Sequence, residues 1–315
     1  MKDENIRRCI VLFSGGLDSR LAVKIMQEKG FNVKAVFFKL PFIKENLSEI
    51  KSFCEENSVE LEVVDCTKGK LLQEYLDILR KPYFSRGKGY NPCIDCKIFI
   101  LKKTKEIADK LGIEFIVTGD VLDERPLSQT KKALNNIEKN AGVKGRVFRP
   151  LSARLLEKTI ADEKNLLDKE NFYDIQGRKR EKQEKLAENF VIDYPNPSGG
   201  CLLCEPQLKN RFKELFYRDI DEKKVDLMTL GRHFLIDDYW IVLGRNEAEN
   251  KLIEEIVDDN EKLFVPDEPG PTAVIFPEKI SFLTEEIKEK VKRLVKVYSK
   301  KGSEKEKKEF EKYRL

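Results

Sequence analysis

Residues 9–13 (CIVLF) form an unbroken apolar run that leads straight into Ser14-Gly15-Gly16-Leu17-Asp18-Ser19, after which Leu21, Ala22, Ile25 and Met26 recur at helical spacing. A buried strand, a tight glycine turn and a helix start are thereby compressed into little more than ten residues. Gly30 stops the helix as a C-cap, and residues 33–38 (VKAVFF) supply a second strand. A helical segment near 47–56, a strand at 61–64 and a helix near 71–79 follow. Strands alternating with helices require a parallel sheet with right-handed crossovers.

Beyond Pro82 the pattern loosens until Asn91-Pro92-Cys93-Ile94-Asp95-Cys96 opens a helix that Gly112 ends. Residues 113–118 (IEFIVT) read as a strand, with Gly119-Asp120 at its C-terminal edge, where open α/β sheets bind ligands. Residues 134–188 read as helices with basic loops, including Gly177-Arg178-Lys179-Arg180. Residues 194–201 (YPNPSGGC) form a rigid loop that ends on a cysteine. After a helix near 208–217, residues 234–236 and 239–243 flank Asp237-Asp238 as a β-hairpin. A helix from Glu247, the breaker Pro269-Gly270-Pro271, a strand at 273–276 and a helix from Thr284 complete the chain. Its 315 residues favour two domains. The expected division is 1–205, a helical linker at 206–224, and a smaller C-terminal α+β domain at 225–315.

Charged residues make up 37% of the chain, yet 60 basic against 56 acidic ones leave a net charge of only +4. Residues 285–315 alone carry +5, so the basic excess sits in the C-terminal tail. That tail is either a face for phosphates or a solvated helix with a frayed end. No run approaches the roughly 18 apolar residues of a membrane span, and MKDENIRRC lacks the apolar core of a signal peptide. A cytoplasmic protein with no membrane partner is expected. In a reducing compartment the seven cysteines are better read as metal ligands or reactive thiols than as disulfides. Cys9, Cys54 and Cys66 lie in apolar or amphipathic segments and read as buried structural thiols. His233 is the single histidine, which excludes a zinc hydrolase of the HExxH type.

A strand that ends in SGGLDS at a helix start offers backbone N–H groups and the positive end of the helix to one small volume, which suits an anion. Ser14 and Ser19 add hydroxyl donors, and glycine at 15 and 16 lets the backbone come close. An acidic Asp18 beside phosphates makes sense with a Mg²⁺ to neutralise it. Neither GxxxxGK[ST] nor GxGxxG occurs. The hexapeptide resembles the SGGxDS signature of the PP-loop, or N-type, ATP pyrophosphatases, which split ATP into AMP and pyrophosphate while adenylating a carbonyl oxygen. The resemblance implies a doubly wound parallel sheet of the PP-loop (HUP-like) type over about the first 200 residues. It also implies adenine contacts from Val36, Phe37 and Phe38, with Gly119 and Asp120 nearer the reacting centre.

Cys93-x-x-Cys96 starts a helix and Cys201-x-x-Cys204 closes a Pro/Gly loop, a separation far longer than in a zinc ribbon, although two such knuckles can still meet in space. Within the PP-loop group this pattern resembles the tRNA thiolation enzymes. In those, a cysteine pair and one distant cysteine either hold a [4Fe-4S] cluster through three thiolates or supply a persulfide. Cys93, Cys96 and Cys201 fit, with Asp18, Cys96 and Cys201 as the implied catalytic residues. Cys204 departs from the three-cysteine pattern as a spare thiol, a sulfur relay or the fourth ligand of a closed Zn²⁺ site.

Segments around Arg125 and Arg149 resemble parts of the same group near its acceptor site, which makes both arginines candidates for phosphate or RNA, against surface pairing with glutamates. Gly231-Arg232-His233-Phe234, Val242-Leu243-Gly244-Arg245-Asn246 and Asn250 resemble the RNA-binding module of NFACT-type proteins. There Arg232 and Arg245 reach toward the backbone, and His233 and Trp240 are candidates to stack on bases unless they belong to the core. The expected activity is ATP-dependent tRNA thiolation, with ATP, Mg²⁺ and a [4Fe-4S] cluster (alternatively Zn²⁺) as cofactors. Its partners are tRNA and a sulfur donor, either sulfide or a cysteine desulfurase. The rivals are a PP-loop amide- or nitrile-forming ligase with structural zinc, and a non-enzymatic RNA adaptor. The sequence leaves the oligomeric state open.

Overall fold

The central strand, β1 (Arg8–Leu12), owes its place to composition: Cys9, Ile10 and Val11 are fully buried, and each such side chain contributes about 1.5–3 kcal/mol on leaving water. The computed structural model describes residues 7–44, 46–195, 200–218, 220–257, 262–277, 283–299 and 304–315. Two compact units emerge, Met1–Cys204 and Glu205–Leu315.

In the first unit β1 is followed by α1 (Leu17–Glu28), β2 (Asn32–Lys39), α2 (Leu47–Glu56), β3 (Glu60–Asp65), α3 (Gly69–Arg80), α4 (Cys93–Leu111), β4 (Ile116–Thr118), α5 (Lys131–Ala141), β5 (Val147–Phe148), α6 (Ile160–Glu163) and α7 (Glu181–Phe190). All five strands run parallel in the order β3-β2-β1-β4-β5, with Val11 opposite Ala35 on one side and Val117 on the other. The doubly wound α/β sheet expected from the sequence is present. Its winding direction reverses between β1 and β4, so the connections that leave these two strands part and open a crevice at their carboxyl ends. The Ser14–Ser19 turn leaves β1 there, and Gly119-Asp120 leaves β4.

The strand expected at 113–118 shrinks to three residues because Ile113 completes the helix stop: its N–H bonds the Ala108 carbonyl at 2.9 Å beyond Gly112, which is left-handed at φ 64°. Strand β5, two residues long, carries too little pattern to be read from sequence. The stretch expected to be helical at 134–188 is interrupted by 3₁₀ turns at Ala153–Leu155 and Lys169–Asn171. Positions 196–199 of the expected Pro/Gly loop lie outside the described residues.

The second unit contains α8 (Lys209–Leu215), α9 (Glu222–Leu227), β6 (Arg232–Ile236), β7 (Tyr239–Leu243), α10 (Glu247–Ile256), β8 (Leu263–Phe264), β9 (Ala273–Pro277), α11 (Glu285–Tyr298) and α12 (Glu304–Glu311). Its antiparallel sheet has the order β6-β7-β9-β8. Asp237 and Asp238 both take positive φ, 48° and 65°, as a two-residue turn matched to strand twist requires. Phe234, Ile236, Ile241 and Leu243 pack against Val291, Leu294 and Val295 of α11. Residues 206–224, expected as a linker, belong to this unit, and Phe212, Leu215, Phe216 and Ile220 among them are buried. The basic tail does not end frayed: Phe310 is buried, and the Leu235 and Leu315 amides bond the Tyr313 and His233 carbonyls at 2.8 and 3.0 Å. Among the described residues no helix is long and apolar enough to cross a membrane.

Candidate functional site

The turn after β1 is shaped by what each residue permits. Gly15 has φ +78°, and a Cβ there would lie 2.8 Å from Ile50 Cγ1, so only glycine fits. Gly16 caps α1 without any side-chain hydrogen bond, which leaves the first-turn N–H groups without a side-chain acceptor. The carbonyls of the turn are held from the other side. Arg20 Nε donates to Gly15 O at 2.7 Å and its Nη1 to Asp193 O at 2.7 Å, with the guanidinium stacked 4.8 Å from the Phe53 ring. Ser19 Oγ donates to Gly16 O at 2.9 Å and lies 3.4 Å from Ser14 Oγ. Ser14 is exposed, and Ser19 is buried and committed to the turn.

Asp18 stands on the first turn of α1 with Oδ1 buried and without a hydrogen-bond partner. Burial pushes its pKa up to about 7, with Glu124 and Asp120 adding to the rise and Arg180 and Arg125 opposing it. A shielded anionic oxygen without a donor is what a hard divalent cation takes as ligand, so the residues present fit Mg²⁺. Gly119 abuts this turn so closely that a Cβ would lie 2.6 Å from the Asp18 carbonyl. Asp120, next in the chain, is already satisfied. Lys97 pairs with it, Gln129 Nε2 donates at 3.0 Å, Thr118 Oγ1 at 3.1 Å, and Arg149 Nε lies 3.7 Å away. Burial alone would raise its pKa, but Lys97 and Arg149 hold it well below the usual carboxylate range. Arg149, expected to meet RNA, is 4% exposed and paired with Glu138 at 2.6 Å, so it supports the crevice from within. Arg125 is exposed, and its charge acts on both Asp18 and Cys204.

The distant cysteine pairs meet. Leu202 N donates to Phe42 O at 2.8 Å, Lys44 N to Gly200 O at 2.9 Å and Tyr90 N to Leu203 O at 2.8 Å, so the Cys201–Cys204 turn is bound to the chain after β2 and to the approach to α4. A Cβ on Gly89 would fall 2.3 Å from the Leu203 carbonyl oxygen. Cys93 opens α4 and accepts from Asn91 Nδ2 at 2.9 Å, and Cys96, one turn on, lies 3.6 Å from Tyr75 Oη. The Cys93 thiol is pushed up by its bond with Cys204 and then by burial. Burial pushes Cys96 up to about 12, and the bond to Cys201 carries Cys204 up to about 11. Cys204 thus meets Cys93 and Cys201, while Cys96 bonds Tyr75, and among the described residues no group of three or more His, Cys, Asp or Glu is arranged to hold a metal ion. The expected ligands Cys93, Cys96, Cys201 and Cys204 are gathered but do not stand in ligand geometry. The donor set, four sulfurs with no oxygen among them, fits zinc or an iron–sulfur cluster in kind.

One residue joins the two ends. Lys97 directly follows Cys96, pairs with Asp120, and acts with its charge on Cys93 and Cys96. Sequence reasoning missed it, together with Arg20 and Tyr75, since a lysine in a lysine-rich helix and a tyrosine on an amphipathic one carry no signal. Phe37 belongs to the core with Val11, Phe13 and Phe53. Phe38 is 6% exposed. In the second unit Arg232 lies over the Tyr298 ring and Arg245 grips Glu249. His233 and Trp240 are 0% and 1% exposed, with Trp240 Nε1 donating to His233 Nδ1 at 3.0 Å. Stacking on bases is therefore ruled out for both rings, which hold each other in the core.

The crevice can be set against known proteins. The tRNA-specific 2-thiouridylase MnmA of a Nitratiruptor species is 26% identical over 121 residues, 36% of this chain and 34% of that protein. The MnmA of Pseudomonas paraeruginosa is 24% identical over 290 residues, 82% of this chain and 74% of that protein. The chain spans about a third of the length of the Nitratiruptor protein. A crystal structure described as a 4-thiouridine synthetase–RNA complex with bound ATP aligns over 70% of this chain and 52% of its own, at 19% identity and a TM-score of 0.38. The model of the family described as thiamine biosynthesis protein (ThiI) matches residues 6–168, more than half of the chain, which therefore belongs to the ThiI family.

Proposed function

We propose that the chain is an ATP-dependent tRNA thiolation enzyme. The observation that carries the reading is the continuity from the unpartnered Asp18 Oδ1, across Asp120 and Lys97, to four gathered thiols. The turn amides and the start of α1 receive the phosphates of ATP, and Asp18 would hold a Mg²⁺, which when bound would offset their charge. A uridine carbonyl oxygen attacks the α-phosphorus and pyrophosphate leaves. Sulfur then takes the place of the AMP-bearing oxygen, and AMP departs. Cys93, Cys96 and Cys201 would hold a [4Fe-4S] cluster, which when bound offers an open iron for sulfide; alternatively one of these thiols, loaded as a persulfide by the sulfur donor, attacks with its outer sulfur, and a second thiol then frees the thiocarbonyl by closing a disulfide with the first, which supplies the two electrons. Lys97 keeps Asp120 charged, and Arg125, exposed and acting with its charge on both Asp18 and Cys204, would meet a phosphate of the substrate. The second unit, read as an RNA-contacting module of NFACT type, binds the tRNA.

A second reading turns on Cys204. It meets both Cys93 and Cys201, so the gathered donors number four sulfurs, a set that in kind, not in geometry, is that of a closed zinc site; with zinc held there the chain would be a PP-loop ligase that uses ammonia. Anaerobic purification separates the two: iron with labile sulfide supports thiolation, and stoichiometric zinc supports the ligase. The direct test is to incubate the chain with ATP, Mg²⁺, sulfide and bulk tRNA, measuring pyrophosphate and thionucleosides. Cys201→Ser should still release pyrophosphate and form no thionucleoside. Unchanged thiolation by that variant would overturn the reading.

A further inference from the structure

The second unit carries a charged centre that the ATP chemistry does not use. Pairing of β6 with β7 sets Arg232 opposite Leu243, and Arg232 Nη1 donates to Gly244 O at 3.3 Å, next to Arg245. The end of the chain returns along β6, where Arg314 bridges to Phe234 and the Leu315 amide bonds His233 O at 3.0 Å. Arg211, in α8, feels the charges of Arg245 and Arg314, and so does Arg232. The local carboxylates are already engaged: Glu249 with Arg245 Nε at 2.8 Å, and Glu311 with Arg314 at 3.0 Å. Arg211 and Arg232 have no carboxylate partner among the described residues, and Arg211 Nε is buried without any acceptor.

Glu249 and Glu311 offset two of the four guanidiniums, so the charges of Arg211 and Arg232 stay uncompensated among the described residues, which is unfavourable unless a further anion joins them. Burial, with Arg245 and Arg314 beside it, lowers even Arg211, to about 10. Planar N–H forks on several sides suit a tetrahedral oxyanion better than a carboxylate, which offers only two oxygens. We propose that Arg211, Arg232, Arg245 and Arg314 form one pocket for a backbone phosphate of RNA. The proposal deepens the tRNA reading of the second unit and rests on it.

The test is binding of unfractionated tRNA to the full chain without ATP, over a series of KCl concentrations, for wild type, Arg211→Gln, Arg314→Gln and Arg211→Lys. Losing one phosphate contact should make the slope of log K against log salt shallower by about 0.9, with several-fold weaker binding. Each glutamine variant is expected to show this, whereas Arg211→Lys keeps the slope. Arg314, on the surface, supplies the answer if Arg211→Gln fails to fold. Equal slopes for wild type and Arg314→Gln would overturn the pocket while leaving the thiolation reading intact. Loss of inorganic phosphate binding with unchanged tRNA binding would make it a free-anion site and overturn the RNA occupant. Absence of any tRNA binding by wild type would sink the tRNA reading and this proposal with it.

Discussion

Asp18, on the first turn of α1, and Asp120, just beyond β4, share one crevice, both shielded from water, and they differ in what surrounds them. Asp120 has two cations and two neutral donors within the chain and stays ionised far below neutral pH. Asp18 has an oxygen with no partner and a pKa raised to about 7. A buried carboxylate completed by its own chain is part of the scaffold. One left incomplete at the start of a helix marks where something from outside must bind.

The comparison is broken most severely at Asp18. Asp18→Asn is expected to cut pyrophosphate release from ATP, Mg²⁺ and tRNA by about 10³-fold, the scale of losing a metal-centred charge stabilisation. Folding should not suffer. Because the folded pKa lies above the unfolded value, the cost of ionised Asp18 is absent below about pH 4, grows as pH rises, and levels off above about 7. It amounts to at most about 4 kcal/mol. Urea midpoints of the metal-free wild type, corrected by those of the variant, should therefore fall between these limits, and Mg²⁺ should restore them. Release within tenfold of wild type would show that no cation is held there.

Asp120→Asn tests the other half. It leaves Lys97 without its partner and Arg149 with Glu138 alone, which should cost about 3 kcal/mol in a urea titration at neutral pH. Here the sign is reversed: the depressed folded pKa gives stability that is present above the unfolded value near 4 and lost as pH falls toward the folded one. A cost below about 1 kcal/mol would mean that Lys97 is solvated and that the two ends of the crevice are not joined through it.

Gly15→Ala is expected to cost about 2 kcal/mol, from the left-handed φ of +78° and the approach to Ile50. Ile50→Ala in the same chain should return the steric part and leave the conformational part, so urea midpoints of the double mutant separate the two. Full recovery would show that the backbone of the turn is unstrained.

The glycine turn was legible in sequence because backbone conformation there is tied to residue type, and so was the Asp237-Asp238 hairpin. The crevice at Gly119-Asp120 could be placed because a parallel sheet binds ligands at its carboxyl edge. What made Asp120 different from Asp18 was not legible: Lys97, Gln129 and Arg149 come from three separate segments, and none carries a motif. The same limit explains Arg149, a basic residue in a resembling segment that the fold turned inward, and His233 with Trp240, whose mutual hydrogen bond only the β6–β7 register reveals. The thiol pairs were visible as pairs; that they meet depends on the joining of residues 42–44 to 200–202.

The smallest effect is expected where the thiol end meets the scaffold. Tyr75 is fully buried, its hydroxyl lies 3.6 Å from Cys96 Sγ, and burial raises its pKa well above the ordinary phenol, so it stays a neutral hydroxyl at any working pH, bonded to a thiol with either group as the donor. Tyr75→Phe keeps the ring packed against Phe99, at 5.6 Å between centroids, and removes only that hydroxyl. A buried neutral hydrogen bond to sulfur contributes about 1 kcal/mol or less, which a urea midpoint with unchanged m-value should show. Pyrophosphate release should be unaffected, since the turn and Asp18 are untouched, while thionucleoside yield should fall because Cys96 has lost the group that orients its sulfur. A parallel fall in both products would mean that Tyr75 supports the whole crevice rather than the sulfur end of it.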